Sequence, residues 1–577
     1  MASLGTMVFL ARVILLLVPV CMAVPYAAAT SRAVSTCAWE QLNATLQGRL
    51  QPVRPLALPC FSSYGNQTVE PDAAACASVQ ANYTSAAFRA GIPGAYMNNQ
   101  VEECASDPAD QCLLDNKQPT DALAFANTTC AQGDLPSYFV EVRDPSDVRA
   151  AFKFSNKTGV PLVIKNSGHD YLARSSGKGA LMLWTRNIRN LTYHADFVAD
   201  GCSADPVQAI TTGAGVNFGE AYAFADANNV TILGGYSSTV GASGGWALGG
   251  GHSILSPVYG LGIDRTLQFK IVTPDGQLRT VNACRDPDLF WALKGGGGGT
   301  FGVVMETTHK VEPIISFVAA SVSFTSNKTT IIPFLDIIVN NTLKWASEGW
   351  GGHVSGSSLI NITPLLSLEE AQESLASLTA YAQSQGGSAS IVQYNSWYPF
   401  YQKYVVANEV AVGNTHLAGS QLVPQSAFAD EAGRAEIMSF LSGLVSKGTS
   451  PYIPVVGPVL YNATANSTSA TPAWRTAVWE LGVGSTWAWN STLAERQAAA
   501  TALKADDARM ANFTGGSAYS NEASIFTDNW EEAWWGENYT PLLAIKNKYD
   551  PHGILGCYKC VGWAPSSAIG SCFAAFA

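Results

Sequence analysis

Residues 234–252 read GGYSSTVGASGGWALGGGH, and no ordinary helix or strand accommodates so much glycine. Each glycine gives up more backbone freedom on folding than any other residue. Val240, Trp246 and Leu248 are interleaved, with Ile254 just beyond. A flexible spacer would be poor in such large apolar residues. The pattern predicts backbone laid against a flat or polyanionic ligand. A second segment, residues 164–171 (IKNSGHDY), predicts a strand ending in a tight turn. Backbone N–H groups exposed in such a turn hold an anion. Gly168 permits close approach, and His169 stands beside whatever is bound. Taken alone, the octapeptide is better read as an ordinary loop carrying a histidine.

Two motifs nearby are decoys. Residues 297–302 (GGGTFG) satisfy G-x-G-x-x-G. A dinucleotide fingerprint follows a strand and opens a helix. Here a predicted helix at 289–293 precedes and a strand-like 303–308 follows, so a Rossmann site is rejected. Residues 241–245 (GASGG) satisfy G-x-S-x-G, but the predicted strand 230–233 ends seven residues earlier. A nucleophile elbow follows its strand at once. A serine hydrolase using Ser243 stays as an alternative. Cys557 and Cys560 form a lone C-x-x-C, and the histidines show no metal spacing, so no metal site is predicted.

With 47% hydrophobic and 13% charged residues, the 577-residue chain reads as folded and large enough for more than one domain. Its net charge of −11 disfavours nucleic acid. Residues 1–25 predict a secretory signal peptide: Arg12 precedes the apolar run 13–24, which is too short for a membrane span and ends in small residues. No later run spans a bilayer, so a secreted, soluble protein is expected. Fifteen Asn-x-Ser/Thr sites, among them Asn43, Asn66, Asn190, Asn361 and Asn538, predict N-linked glycans. Removing Cys21 with the leader leaves eleven of the twelve cysteines. Many should pair in an oxidising compartment. Cys60/Cys76 and Cys104/Cys112 are plausible local pairs, and Cys37 reaches Cys557 or Cys560. The odd count leaves at least one thiol free or misplaced.

Along the chain, 26–133 reads as a disulfide-rich N-terminal segment. Asp144-Pro145 opens a helix, 161–164 and 209–213 are strands, 218–228 is a helix, and Pro274-Asp275-Gly276 turns a hairpin. Capping boxes Ser367/Glu370 and Thr492/Glu495 open long helices, and 393–401 is strand-like. The picture is α+β in two lobes, with the second lobe inserted before a C-terminal return.

Several motifs occur together in order. They are IKNSGHDY followed by Arg174-Ser-Ser, the stretch from Val240 to His252, YGLGID at 259–264, DLFWAL at 288–293, residues 295–304, and the segment from Trp530 to Pro551. Together they resemble the berberine-bridge-enzyme-like branch of the vanillyl-alcohol-oxidase flavoproteins, especially its secreted fungal members. The resemblance covers roughly 137–313 and 515–563. It implies a two-lobed PCMH-type FAD-binding domain (134–314), a substrate domain with an antiparallel sheet flanked by helices (315–510), and a C-terminal return (511–577). FAD would be bonded covalently through His169. The turn Lys165, Asn166, Ser167, Gly168, His169, Asp170, Tyr171 would wrap the pyrophosphate. Gly235, Ser238, Thr239, Val240, Gly241, Gly244, Gly245, Gly250 and His252 would line the flavin ring. Gly302 and Val303 would lie by the adenosine half, and Tyr519 and Asn521 would return to the flavin. Where many members carry a cysteine for a second covalent bond, this chain has Ser237, so a single histidyl link is expected. Val240 matches the oxygen-reactive members, implying an oxidase that makes hydrogen peroxide.

Oxidation of a small-molecule substrate needs a C–H over flavin N5, a base, and donors for the reduced ring. Tyr519 is the first candidate base and Glu522 the second, with His252 a flavin-site neighbour. Trp397, Tyr398, Phe400 and Tyr401 are candidate pocket walls. The expected protein is a monomer oxidising an alcohol, carbohydrate or secondary metabolite. A flavin carrier without turnover is the remaining alternative.

Overall fold

The computed structural model describes residues 34–576, so the expected signal peptide lies outside the described residues. His169 follows a four-stranded sheet ordered Leu50–Pro52, Tyr138–Glu141, Leu181–Trp184, Leu162–Lys165. The last three strands are parallel. Leu181–Trp184 is buried throughout, as an apolar strand covered on both faces must be. Asp144 and Asp147 form a reciprocal capping box that starts the helix Pro145–Thr158. That helix packs beside the sheet. The expected strand at 161–164 is Leu162–Lys165, so residues 166–171 leave its C-terminal end.

A five-stranded antiparallel sheet follows, ordered Leu278–Val281, Thr266–Val272, Val303–Lys310, Val207–Gly213, Leu191–Phe197. The hairpin expected at 274–276 joins the first two, with Val272 opposite Leu278. The helix Pro287–Leu293 precedes residues 297–302 and Val303–Lys310 follows, the reverse of a Rossmann arrangement.

The second lobe is a seven-stranded antiparallel sheet. Its order is Ser388–Tyr394, Phe317–Ser323, Ser358–Thr363, Gly351–Ser355, Tyr452–Val455, Ala477–Ser485, Leu417–Pro424. The helices Ile331–Ser347, Glu431–Ser446 and Leu493–Thr514 supply Leu335, Leu441 and Leu503 to its core. Trp479, Leu481 and Val483 face those helices, so Glu480 between them points the other way. Val354, Ile453 and Leu417 are likewise in the core, which turns the adjacent His353, Tyr452 and His416 to the opposite face.

Some expectations are corrected. The strand-like piece at 393–401 is the end of Ser388–Tyr394 followed by the helix Trp397–Tyr404. Aromatic content suggests a strand. The spacing of Trp397, Phe400, Tyr401 and Tyr404 is nevertheless that of one helix face. That face packs on Tyr222 and Phe317 in the core. The first capping box opens a short helix, Leu368–Ser374, whereas the second opens 22 residues.

Cys60 pairs with Cys76 as expected. Cys104 pairs with Cys572 and Cys112 with Cys130, because the N-terminal segment packs against the C-terminus and brings the Cα atoms of Cys104 and Cys572 to 4.7 Å. Cys202 pairs with Cys284, and Cys557 with Cys560. Cys37 is disulfide-bonded, therefore to neither Cys557 nor Cys560, and no described cysteine is free. Asn361 is 2% exposed in the middle of a sheet, which leaves no room for a glycan. No helix among the described residues is long and apolar enough to cross a membrane.

Candidate active site

The turn after Leu162–Lys165 is held from several sides. The Lys165 ammonium donates to the carbonyls of Ile92, Pro93 and Ala95, at 2.6 to 2.9 Å. It is fully buried, and burial draws its pKa down to about 7. Its side chain therefore anchors the N-terminal segment and is not free for a phosphate. Gly168 has φ +94°, and a Cβ there would press on the Ala95 carbonyl at 3.1 Å. Asp170 accepts from Leu172 N, Ser175 N and the Ser175 hydroxyl, which folds the following loop. Asn98 and Gln100 donate to the carbonyls of Asp170 and Tyr171, and Gln100 also bonds His416 O. The N-terminal segment thus clamps both lobes at the site.

His169 Nε2 lies 2.7 Å from the Thr239 hydroxyl, the two glycine-bearing motifs meeting at that bond. Burial lowers the imidazole pKa to about 4, so the ring is neutral with one nitrogen unprotonated. Asn166 donates to Ala214 O and fits against Gly241 and Gly244, where a Cβ would reach it at 2.7 and 3.0 Å. Its Oδ1 is buried with no partner. Gly245 faces open space. Other glycines named for the cradle are fixed by protein packing. Gly235 lies against Phe218, and at Gly302 a Cβ would strike the Val272 carbonyl at 2.6 Å. Ser238 bonds Glu409, Val303 is buried in its strand, and Val240 accepts from Phe218 N.

The C-terminal return closes over this cradle. Asn521 donates to Gly245 O at 2.9 Å and to the Tyr519 hydroxyl at 2.7 Å, and Gly251 N donates to the same hydroxyl. Tyr519 is 2% exposed, and burial raises its pKa. The bonds from Gly251 and Asn521 pull that pKa the other way, but burial and the Glu522 charge outweigh them, so the hydroxyl keeps its proton at neutral pH. Gly250 stacks under its ring.

Glu522 stands differently. Its Oε1 lies 3.0 Å from His252 Nε2, and Glu480 Oε2 lies 3.6 Å from the same nitrogen. The three donor atoms lie within 4.8 Å of one another. Burial opposes the His252 cation, but the Glu522 charge and hydrogen bond, with Glu480 behind them, raise its pKa to about 9. Burial alone would raise Glu522, yet His252, then His353 and His416, hold it below the usual range. Burial, then the Glu522 charge, pushes Glu480 up to about 8. At neutral pH the cluster is Glu522 carboxylate, His252 imidazolium and protonated Glu480. Ser420 donates to Glu480 Oε1 at 2.6 Å, while Oε2 has no hydrogen-bond partner. His353 Nδ1 meets the Tyr452 hydroxyl at 2.9 Å, Tyr236 packs on the His353 ring, and Tyr171 lies 5.7 Å from the His416 ring.

Ser243 is the reverse of an exposed nucleophile. It is 1% exposed and donates to Thr212 O at 2.9 Å, with the Thr212 hydroxyl beside it. Among the described residues its hydroxyl bonds only Thr212, so no general base is in hydrogen-bond contact, which removes the hydrolase alternative.

Residues 136–282 match the family model described as FAD binding domain, and 518–556 match the one described as berberine and berberine like. The FAD-linked oxidoreductase ffsJ of Aspergillus flavipes is 42% identical, over 95% of each chain. The chain belongs to the berberine-bridge-like branch of the vanillyl-alcohol-oxidase flavoproteins. The VAO-type flavoprotein oxidase VAO615 of Thermothelomyces thermophilus is 31% identical over 89% of each chain. The solved VAO-type flavoprotein MtVAO615 from Myceliophthora thermophila C1 superposes with a TM-score of 0.81 at 28% identity, covering 92% of this chain and 95% of that one. This berberine-bridge-like protein is therefore an FAD-linked oxidoreductase with the α+β fold of its family. The residues present fit the cofactor: an open glycine floor, an orphaned buried Asn166 oxygen and a neutral imidazole converge on one cradle.

Sequence reasoning missed Glu480, His353, His416 and Tyr452 as site residues. Each is a polar residue in or beside a strand of the second lobe, and the face it takes is visible only once strand phase is known.

Proposed function

We propose that this oxidoreductase carries FAD on a single covalent link through His169 and oxidises a small alcohol, carbohydrate or secondary metabolite, with O2 as the final acceptor giving H2O2. One observation carries the proposal: Thr239, bonded to His169, and His252, paired with Glu522, belong to the same glycine-rich stretch, so the tether and the acid–base groups stand on one cradle. Bound FAD supplies the two-electron acceptor.

The chain's own residues then divide the remaining work. Glu522, ionised and oriented by His252, takes the hydroxyl or amine proton of the substrate as the C–H bond breaks. Protonated Glu480 donates a hydrogen bond toward the same space and keeps the cluster's charge near neutral. The C-terminal return and the sheet face exclude water. His169, unprotonated and steadied by Thr239, presents the nucleophilic nitrogen that the link to the 8α carbon requires. Ser237 lacks the thiol needed for a second link. Val240 supports oxygen as acceptor only through its resemblance to oxygen-reactive members. The disulfides and exposed Asn66 and Asn190 support a secreted glycoprotein.

Anaerobic mixing with a substrate panel tests the activity: bleaching of the flavin, followed by peroxide on admitting air, is the expected result. No bleaching by any alcohol, carbohydrate or metabolite would leave only a flavin carrier. His169→Ala tests the link, since its flavin should be released by acid precipitation.

A further inference from the structure

Four buried arginines among the described residues differ in what they touch, and Arg265 bonds Glu312. Arg89 donates to Glu102 Oε1 at 2.6 Å and to the carbonyls of Tyr83 and Tyr96. Arg496 lies 2.9 Å from Glu103 Oε2 and reaches the carbonyls of Cys104 and Ala105. Arg174 is 9% exposed, and its Nε and Nη2 are buried without a hydrogen-bond partner among the described residues. Asp170 acts on it only at longer range, its oxygens being taken by Leu172 and Ser175. Burial draws the guanidinium pKa down to about 10, which leaves it charged at neutral pH. The faces of Trp534 and Trp535, 4.9 and 6.0 Å away, offset part of the desolvation. A buried cation without a hydrogen-bonded counter-charge is otherwise costly.

Its position says what is missing. Arg174 lies five residues beyond His169 on the same loop, and its Nη1 comes within 3.9 Å of a Cβ placed on Gly297. Gly298 abuts Gly245. Trp535 donates to Gly295 O, bringing in the C-terminal return. The guanidinium therefore lies between the His169 loop, the glycine run at 295–299 and the C-terminal return.

We propose that Arg174 is the charged anchor of the FAD pyrophosphate, its Nε–Nη2 edge donating to phosphate oxygens. That edge is planar and matches two oxygens at once, which a lysine does not. The role falls to Arg174 because Lys165, on the turn itself, is committed to three carbonyls. The proposal rests on the FAD cradle and adds to it a residue outside the turn expected to wrap the pyrophosphate.

The test measures reversible binding, with the covalent link removed. His169→Ala protein, stripped of flavin, is titrated with FAD and with riboflavin, with and without Arg174→Gln, by fluorescence quenching. The expected result is an FAD Kd raised about 10- to 100-fold by Arg174→Gln, with riboflavin, which has no phosphate, changed less than about twofold. Arg174→Lys should recover part of the loss. Equal weakening of both flavins, or weakening of neither, overturns the proposal. So does a lowered flavin potential at unchanged FAD affinity, which would place the guanidinium at the reduced ring. Flavin that resists acid precipitation from His169→Ala would break the covalent assignment alone. Arg174 is then judged by the FAD content of purified Arg174→Gln, where a full complement overturns its role.

Discussion

The flavin cradle and the sheet face opposite it are built on different principles. The cradle is contiguous: residues 166–171, 239–252 and 295–299 each form a run of backbone whose shape is the function. The sheet face is dispersed: His353, Tyr452, Glu480 and His416 come from four chain segments and share only the phase of their strands. A cofactor common to a family is held by backbone, which a run of glycines specifies. A substrate is met by single side chains, each exchangeable without disturbing its strand. The two surfaces meet at Glu522, which is tied to His252 of the cradle and coupled electrostatically to Glu480 of the sheet.

Substitutions should separate the two surfaces. Glu522→Gln is expected to have the largest effect, slowing substrate-driven flavin reduction about 10²- to 10⁴-fold while FAD content stays full. Loss of FAD instead would show that the two surfaces are not separable. Trp479→Ala, on the helix side of the sheet, should cost about 3–5 kcal/mol in thermal or urea unfolding, with the flavin spectrum of the folded protein unchanged. Glu480→Gln sharpens the contrast through pH. Glu480 holds its proton to about 8 when folded, against an ordinary 4.5, so the folded protein binds the extra proton and stability falls as pH rises between those values. His252, raised from 6.5 to about 9, acts in the same direction, contributing fully below 6.5 and losing its contribution through 9. Glu480→Gln should therefore flatten the decline in melting temperature between pH 5 and 8 and leave the portion belonging to His252; an unchanged profile would refute the protonated Glu480. Ser243→Ala should matter least, about 1 kcal/mol of stability from one lost hydrogen bond, with turnover intact. Abolished turnover would restore Ser243 to the chemistry.

The cradle was legible because its constraints are local. Gly168, Gly241 and Gly244 lie where a side chain would strike the Ala95 carbonyl or Asn166. Even there, lysine at 165 suggested a phosphate ligand, and only the packing of residues 92–95 shows where its ammonium goes. The order of Tyr519 and Glu522 as candidate bases depends on contacts of the same kind. Both lie in the same short motif, and their difference is set by burial, which holds the tyrosine protonated, and by His252, which holds the glutamate pKa down. The aromatic run at 397–401 had the spacing of a helix, but its composition pointed to a strand.

From its order of residues alone, this chain determined its family, its cofactor and the backbone that receives it, because glycine spacing, capping boxes and the strand-to-turn motif act over a few residues at a time. The tertiary structure decided the proton chemistry and the disulfide frame. Charge and burial are properties of what is brought together across hundreds of residues: Glu480 beside His252, Cys104 beside Cys572, and a guanidinium at 174 against Trp534 and Trp535.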